Sequence, residues 1–556
     1  MSIQTRTRLA DEYPVSEGLA GLWPAKPSLT RADLLAIAIP TLAGALATAI
    51  DLGTRSLWLD EGSTFAIVSQ HGAALWRAVA HDGGNMFIYY LGMHLLLAWF
   101  GDATWVMRLP SVIATAATGG LVAALALRLF PDNRRLAGAA GLLTVISLPL
   151  VYWGQNARGY AWLVTLAVGS FLALAVILQT PPERAPARGA VVAYVLTTLA
   201  ALYIGYDFAL LIPGQLALLL IHRERARLVI GCLALTLVLC TPLAVLAVER
   251  GSSQLFWVTQ LHWAIVGEAM LTLLAALPPD FHTTAMTYVA VAGLGLGTAS
   301  ALVVAARQAL RALRDRRPRD QHAWPVLFML SWALVPTVLT VLFYASGEPV
   351  ELPRVTILVI PVVALLLAWL LLRPTRTLRL TALGTLGIAL LLGLRLTQVV
   401  PAYGVSPEPW NAVTAYVLAH TSKARPACAI FYAQDGRESF DYYLLRDSGT
   451  PPGTRNPAPD LRPVLPSLGF ATVRPFVEQY AALDAVKRAR VASACPRLWI
   501  IASHNGTSNG TPQSQANLRR YQHMEQELRA LYPYTTIRTF GWSAPINVRL
   551  LYRSGS

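Results

Sequence analysis

Long apolar runs without acid or lysine constrain this chain more than any other feature. Segments 109–127, 160–178, 228–248, 355–372 and 380–399 contain no Asp, Glu or Lys, and their one Arg, Arg395, stands near an end. About 20 such residues cross a bilayer, and a charge at its centre costs at least about 2.5–3.5 kcal/mol. A chain built of these runs is expected to be an α-helical polytopic membrane protein. Only 13% of its 556 residues are charged, against roughly a quarter in soluble domains. The formal net charge of +15 does not point to nucleic acid. The basic residues fall in short links between apolar runs, where they act as topology signals and meet anionic lipid.

Eleven spans are predicted, at about 33–50, 107–128, 136–153, 160–179, 190–204, 207–221, 228–247, 284–306, 324–344, 354–372 and 380–399. Alternate links then differ in arginine. One set holds Arg128, Arg134 and Arg135; Arg184 and Arg188; Arg223, Arg225 and Arg227; six arginines over 307–319; and Arg373, Arg376 and Arg379. The other holds only Arg55, Arg77, Arg158, Arg250 and Arg354, with Arg108 near a span end. The first set belongs in the cytoplasm. That places a polar segment, 1–32, inside and everything after residue 400 outside. The apolar stretch 85–100 is short and carries His94. Counting it as a span would invert every later link, so it reads as a juxtamembrane helix on the outer surface.

Residues 33–400 therefore form a membrane domain with two large external loops, 51–105 and 249–282. The second loop contains Trp257, His262 and Trp263. Residues 401–556 have soluble composition. Helices are expected at 408–419, 477–490 and 517–531, and strands at 427–432, 497–502 and 548–552, with loops at 449–466 and 503–515. This alternation predicts a small extracytoplasmic α/β domain with a largely parallel sheet. Cys428 and Cys495 each start a predicted strand. Adjacent parallel strands in an oxidising compartment would bring them into a disulfide. Cys232 and Cys240 lie in an apolar span and read as packing residues.

The strongest chemical signal follows the first span, in Arg55-Ser-Leu-Trp-Leu-Asp60-Glu61-Gly62. Residues 63–80 read as one amphipathic helix behind it. A carboxylate held at a membrane surface and partly shielded from water can serve as a general base. The plainer reading is a helix N-terminus, where acids complement the macrodipole.

Several motifs then recur in order: Asp60-Glu61; Tyr89-Tyr90-Leu91, followed after a Gly by Arg108-Leu-Pro-Ser111; Gln155-Asn-Ala-Arg158-Gly-Tyr160; Tyr203-Ile-Gly-Tyr206; Pro353-Arg354 through Pro361; and Glu408-Pro-Trp-Asn. This ordered set resembles the lipid-linked sugar transferases of the GT-C fold. The nearest groups are the protein O-mannosyltransferase and aminoarabinose transferase relatives (glycosyltransferase family 39-like). The resemblance implies a bacterial plasma-membrane enzyme that takes a sugar from a polyprenyl-phosphate carrier. Transfer goes to an extracytoplasmic acceptor hydroxyl of an envelope glycan, glycolipid or protein, with inversion. It implies Asp60 as base with Glu61 supporting it, and Arg158 and Arg354 as phosphate contacts. Asn85, Tyr89, Tyr160, His81, Asp82 and Tyr206 would line the donor site. Asn85 departs from the pattern, because many relatives carry His or Lys there.

No His/Cys pair stands at zinc spacing and no glycine-rich nucleotide loop is present. Asp60, Glu61 and Asp82 could in principle hold a divalent ion, but the resemblance implies that none is needed, so no cofactor is expected. A transporter or flippase and a non-catalytic envelope assembly protein are the competing readings. Mid-span charge and paired repeats mark transporters; here the mid-span regions are mostly charge-free and no repeat is seen.

Overall fold

The computed structural model describes residues 29–251, 285–346, 356–373, 378–447, 457–470, 473–476, 479–508, 510–541 and 544–553. Arg354, His262 and most of the loop 249–282 lie outside the described residues.

Thr30 and Asp33 form a reciprocal cap that starts α1 (Arg31–Ala49). Its inward face is Asp33, Ala36, Pro40, Gly44 and Thr48, while Leu34, Leu35, Ile39, Leu42 and Leu46 are all more than half exposed. A helix that turns its small and polar residues inward and its large apolar ones outward has hydrocarbon as its solvent. Three short helices follow, α2 (Leu59–Val68), α3 (Ala73–His81) and α4 (Phe87–Phe100). The single helix predicted over 63–80 is thus two, divided at Gly72, whose φ of +53° suits a residue without Cβ.

The remaining membrane helices are α5 (Thr104–Leu129), α6 (Arg134–Val145), α7 (Leu148–Gly154), α8 (Tyr160–Leu178), α9 (Arg188–Ile204), α10 (Ile212–Ala217), α11 (Ala226–Leu239), α12 (Thr241–Arg250), α13 (Ala285–Arg314), α14 (Ala323–Ala345), α15 (Ile360–Leu372) and α16 (Leu378–Ala402). Among the described residues, six (α1, α5, α8, α13, α14 and α16) are long and apolar enough to cross a bilayer. Two bent pairs, α6–α7 at 62° and the pair joining α11 to α12 at 53°, raise that to eight. The other three predicted spans are helical but short: α9, Tyr206–Leu220 and Ile357–Leu372. At 1.5 Å per residue, helices of this length reach less than the roughly 30 Å of hydrocarbon. Close approach of α1, α5 and α6 depends on missing side chains. A Cβ on Gly119 would lie 2.6 Å from the Pro40 carbonyl oxygen, and one on Gly141 would lie 2.7 Å from the Gly119 oxygen.

The C-terminal domain runs α17 (Trp410–Ala419), β1 (Ala427–Tyr432), α18 (Gly436–Asp447), β2 (Leu461–Leu465), α19 (Ala485–Ala494), β3 (Arg497–Ala502), α20 (Pro512–Leu531), β4 (Tyr534–Phe540) and β5 (Ile546–Tyr552). Its five strands are ordered β2-β1-β3-β5-β4. β1 pairs in parallel with β2 and β3, whereas β5 is antiparallel to β3 and β4. The sheet is therefore mixed rather than largely parallel, because β4 and β5 form a hairpin. Cys428 and Cys495 are joined by a disulfide with Cα atoms 5.8 Å apart. The domain docks through α18 onto α2, which places its edge over the Asp60 segment.

Candidate active site

Asp60 and Glu61 fall in the first turn of α2, where a helix dipole favours acids. Helical geometry turns adjacent residues about 100° apart, and the two carboxylates accordingly part company. Glu61 is fully buried. It takes a bidentate ion pair from Arg108, Nε to Oε1 at 2.8 Å and Nη2 to Oε2 at 2.6 Å, and it accepts the Ala157 N–H at 2.7 Å. Arg108 donates further to the carbonyls of Leu52, Arg55 and Ser56. One buried pair thus fastens α2, α5, the 52–56 turn and the 155–158 segment together.

Asp60 keeps 23% of its side chain exposed and faces the opposite way, with Oδ2 3.5 Å from Arg158 Nη2. Arg158 is only 7% exposed. Its Nη1 donates to Tyr90 Oη at 3.1 Å and to Thr64 Oγ1 at 3.4 Å, while its Nε has no hydrogen-bond partner. Tyr90 in turn donates to Asp82 Oδ2 at 3.0 Å. Burial pushes the Tyr90 hydroxyl well above its ordinary range, which keeps it a donor. The Tyr160 ring lies 5.9 Å from the Arg158 guanidinium. Asp60, Arg158, Tyr160 and Asp82 therefore come together, with Tyr90 and Thr64 added.

The turn 82–86 holds this group from one side. Gly83, Gly84 and Met86 all have positive φ, and Met86 N–H donates to the Ile204 carbonyl at 3.2 Å. The Tyr206 hydroxyl donates to the Gly83 carbonyl. Asn85 is half-buried in this turn, Tyr89 is buried, and His81 is exposed at the end of α3. A Met in left-handed geometry is strain of the kind found where a segment is held for a purpose.

The far side comes from the C-terminal domain. Glu408, 3% exposed, accepts the Leu59 N–H at 3.0 Å and the Trp410 indole N–H at 3.1 Å, and its Oε1 lies 3.5 Å from His504 Nε2. Burial raises the carboxyls of Glu408 and Asp435, and the nearby Asp60 charge adds to both effects. Glu438 accepts from the Ser63 hydroxyl and from the Phe476 N–H. Sequence reasoning missed this layer. It did hold one signal for the buried pair: an Arg at the mouth of a charge-free span needs an acid, though not which one, since Glu61 stands 47 residues away.

Fold and site together define a multi-pass membrane protein whose α/β domain closes over a carboxylate–guanidinium pair. No family model matches the chain and no curated protein matches it in sequence. Solved structures do resemble it. ArnT from Cupriavidus metallidurans bound to undecaprenyl phosphate aligns with TM-score 0.52 at 15% identity, over 92% of this chain and 97% of that one. The archaeal oligosaccharyltransferase AglB from Archaeoglobus fulgidus, in complex with an inhibitory peptide and a dolichol-phosphate, aligns with TM-score 0.53 at 10% identity, over 91% of this chain and 72% of that one. The chain has the GT-C fold that these lipid-linked glycosyltransferases share.

Proposed function

We propose that this protein is an inverting glycosyltransferase that moves a sugar from a polyprenyl-phosphate carrier to an acceptor hydroxyl on the extracytoplasmic side of a bacterial plasma membrane. One observation carries the reading: the partly exposed Asp60 carboxylate faces a nearly buried guanidinium whose Nε is unpartnered. In this reading Asp60 accepts the proton of the acceptor hydroxyl as that oxygen bonds to the anomeric carbon. The bond from that carbon to the phosphate oxygen breaks with inversion, and the carrier phosphate leaves with its negative charge. Arg158 meets that charge in a site poor in water, where a charge-assisted contact is strongest. Glu61 supports the step by fixing the backbone that carries both groups. Asn85, Tyr89, Tyr160 and Tyr206 surround the donor sugar, and Arg354 is a second phosphate contact. The reaction so written needs no metal ion.

The test is Asp60→Asn in liposomes supplied with polyprenyl-phosphate sugars and an acceptor extract. Transfer is expected to fall by about 10²–10⁴-fold, the usual worth of a general base, while the variant still expresses and folds. Full transfer by the variant would remove Asp60 as base. Solute uptake without any glycosylated product would favour a transporter.

A further inference from the structure

The inward face of α16 contains Gly384, Ile388, Leu391, Arg395, Gln398 and Ala402. Their spacing of four, three, four, three and four residues is the stripe a helix turns toward its neighbours. Two members do not belong in an apolar seam. Arg395 is 1% exposed and Gln398 is 6% exposed. Nε and Nη1 of the guanidinium and both polar atoms of the amide are buried without a hydrogen-bond partner. Among the described residues no carboxylate offsets the Arg395 charge.

The position is also defined. One turn beyond Arg395, Val399 and Ala402 pack on Leu148, Val151 and Tyr152 of α7, and the Tyr403 hydroxyl donates to the Ala47 carbonyl at 2.6 Å. α7 runs directly into the 155–158 segment, so this end of α16 lies on the membrane face that holds Asp60. Arg395 sits seven residues before the helix end, roughly 10 Å deeper at 1.5 Å per residue. α16 touches both α6 and α7, the pair bent by 62°. Broken helices beside ionisable residues line binding sites in membrane proteins. A guanidinium at that depth must be neutralised, because an isolated buried charge is far costlier than any packing it allows.

We propose that Arg395 and Gln398 form an intramembrane anion site that takes the phosphate group of a lipid. The guanidinium fork matches two phosphate oxygens. The amide supplies one more donor, and its carbonyl accepts a hydroxyl, so the ligand is an anion that also carries an O–H. A polyprenyl phosphate and a phosphatidylglycerol headgroup both have that chemistry. The site does not depend on the transferase reading, since Asp60 and Arg158 take no part in it.

The experiment uses the full-length protein, delipidated in detergent, in an Arg158→Met, Arg354→Met background that removes both phosphate contacts of the proposed transfer site. Native mass spectrometry measures retained phosphate-bearing lipid. Melting is followed with added undecaprenyl phosphate, phosphatidylglycerol or inorganic phosphate. The reference protein should retain lipid and gain Tm with an added lipid. Arg395→Met should bind about ten- to a hundredfold more weakly, the loss expected of one charge-assisted fork, and its Tm should not respond. A response to undecaprenyl phosphate alone assigns the carrier, and to phosphatidylglycerol alone a bilayer lipid. Equal retention and response with and without Arg395 overturns the proposal, as does a response to inorganic phosphate alone. Should Arg395→Met not fold, Gln398→Leu carries the same test: a loss of retention supports the site and no change overturns it. Asp60→Asn, inactive in transfer, should keep its lipid, which separates this site from the catalytic one.

Discussion

The carboxylate of Glu408 accepts the backbone N–H of Leu59 at 3.0 Å, so the C-terminal domain caps the helix on which Asp60 stands. α2 has no cap of its own, because Trp58 at its N-cap provides no side-chain acceptor. A helix end left open would expose unsatisfied N–H groups beside the site. Glu408 also accepts from Trp410, and burial raises its carboxyl. Glu408 is thus a positioning residue. Glu408→Ala should cost about 1–3 kcal/mol, the penalty for leaving buried donors unmet, and should lower kcat more than it raises KM. Glu408→Gln keeps an acceptor oxygen and should recover most of both. Melting curves and steady-state kinetics on the two variants check this, and equal defects would deny the capping role.

Arg158 reaches Tyr90, Thr64 and Asp60 from one guanidinium. A lysine keeps the charge but has no planar fork to span them. Arg158→Lys is expected to lower kcat by about 10–100-fold, and Arg158→Met by about 10²–10³-fold, in keeping with the loss of a preorganised contact to developing charge. Single-turnover rates with a polyprenyl-phosphate donor give the measurement. An unchanged kcat in Arg158→Met would take the guanidinium out of the phosphate site.

The membrane part of this fold was legible because it is written locally. Each apolar run declares itself, and each of the eleven predicted spans is helical over its described residues. What sequence could not supply was set by partners distant in the chain. The polar stretch Gly436–Asp447 gave no helix signal, since its Arg437, Glu438, Ser439 and Asp441 are polar yet buried, held by partners distant in the chain such as Ser63 and Pro466. β4 was missed although Thr535, Thr536 and Ile537 have β-branched side chains. It is an exposed edge strand without an alternating apolar face. Asp60 and Arg158 were named from motifs, but their meeting depends on Glu61 and Arg108, 47 residues apart. The split of Asp60 and Glu61 into an exposed and a buried role follows from helix phase, which two adjacent letters do not reveal.

Gly62 makes the interface between α2 and the C-terminal domain. A Cβ there would lie 2.1 Å from Ser439 Oγ and 2.8 Å from the Ser439 nitrogen, so both side chain and backbone of α18 would have to retreat. Overpacking of this kind typically costs about 1–3 kcal/mol, which outweighs the helix propensity gained by alanine. Gly62→Ala should therefore lower Tm, with transfer reduced because Asp60 moves with α2. A variant that melts and reacts like wild type would mean the docking seen here is not required.

Asp435 gives the docked domain a pH dependence with a definite sign. It is 7% exposed, and burial pushes its carboxyl up to about 7. The positive field of His504 opposes this, while the charge of Asp60 adds to it. Glu438 is the other acid nearby. A carboxyl raised on folding is protonated in the folded state, so its contribution is complete below pH about 3.8, the ordinary Asp value. It is lost as pH rises through about 7. Asp435→Asn is neutral throughout and should lift stability most at pH 7 and above, with a ceiling of about 4 kcal/mol at about 1.4 kcal/mol per pKa unit. Near pH 4 the two proteins should melt alike. Asp441, also raised to about 7, and the raised carboxyls of Glu408 and Glu438 leave a smaller slope of the same sign in the variant. Melting curves of the full-length protein from pH 4 to 8 decide it, and parallel profiles would show that Asp435 titrates like an exposed carboxylate.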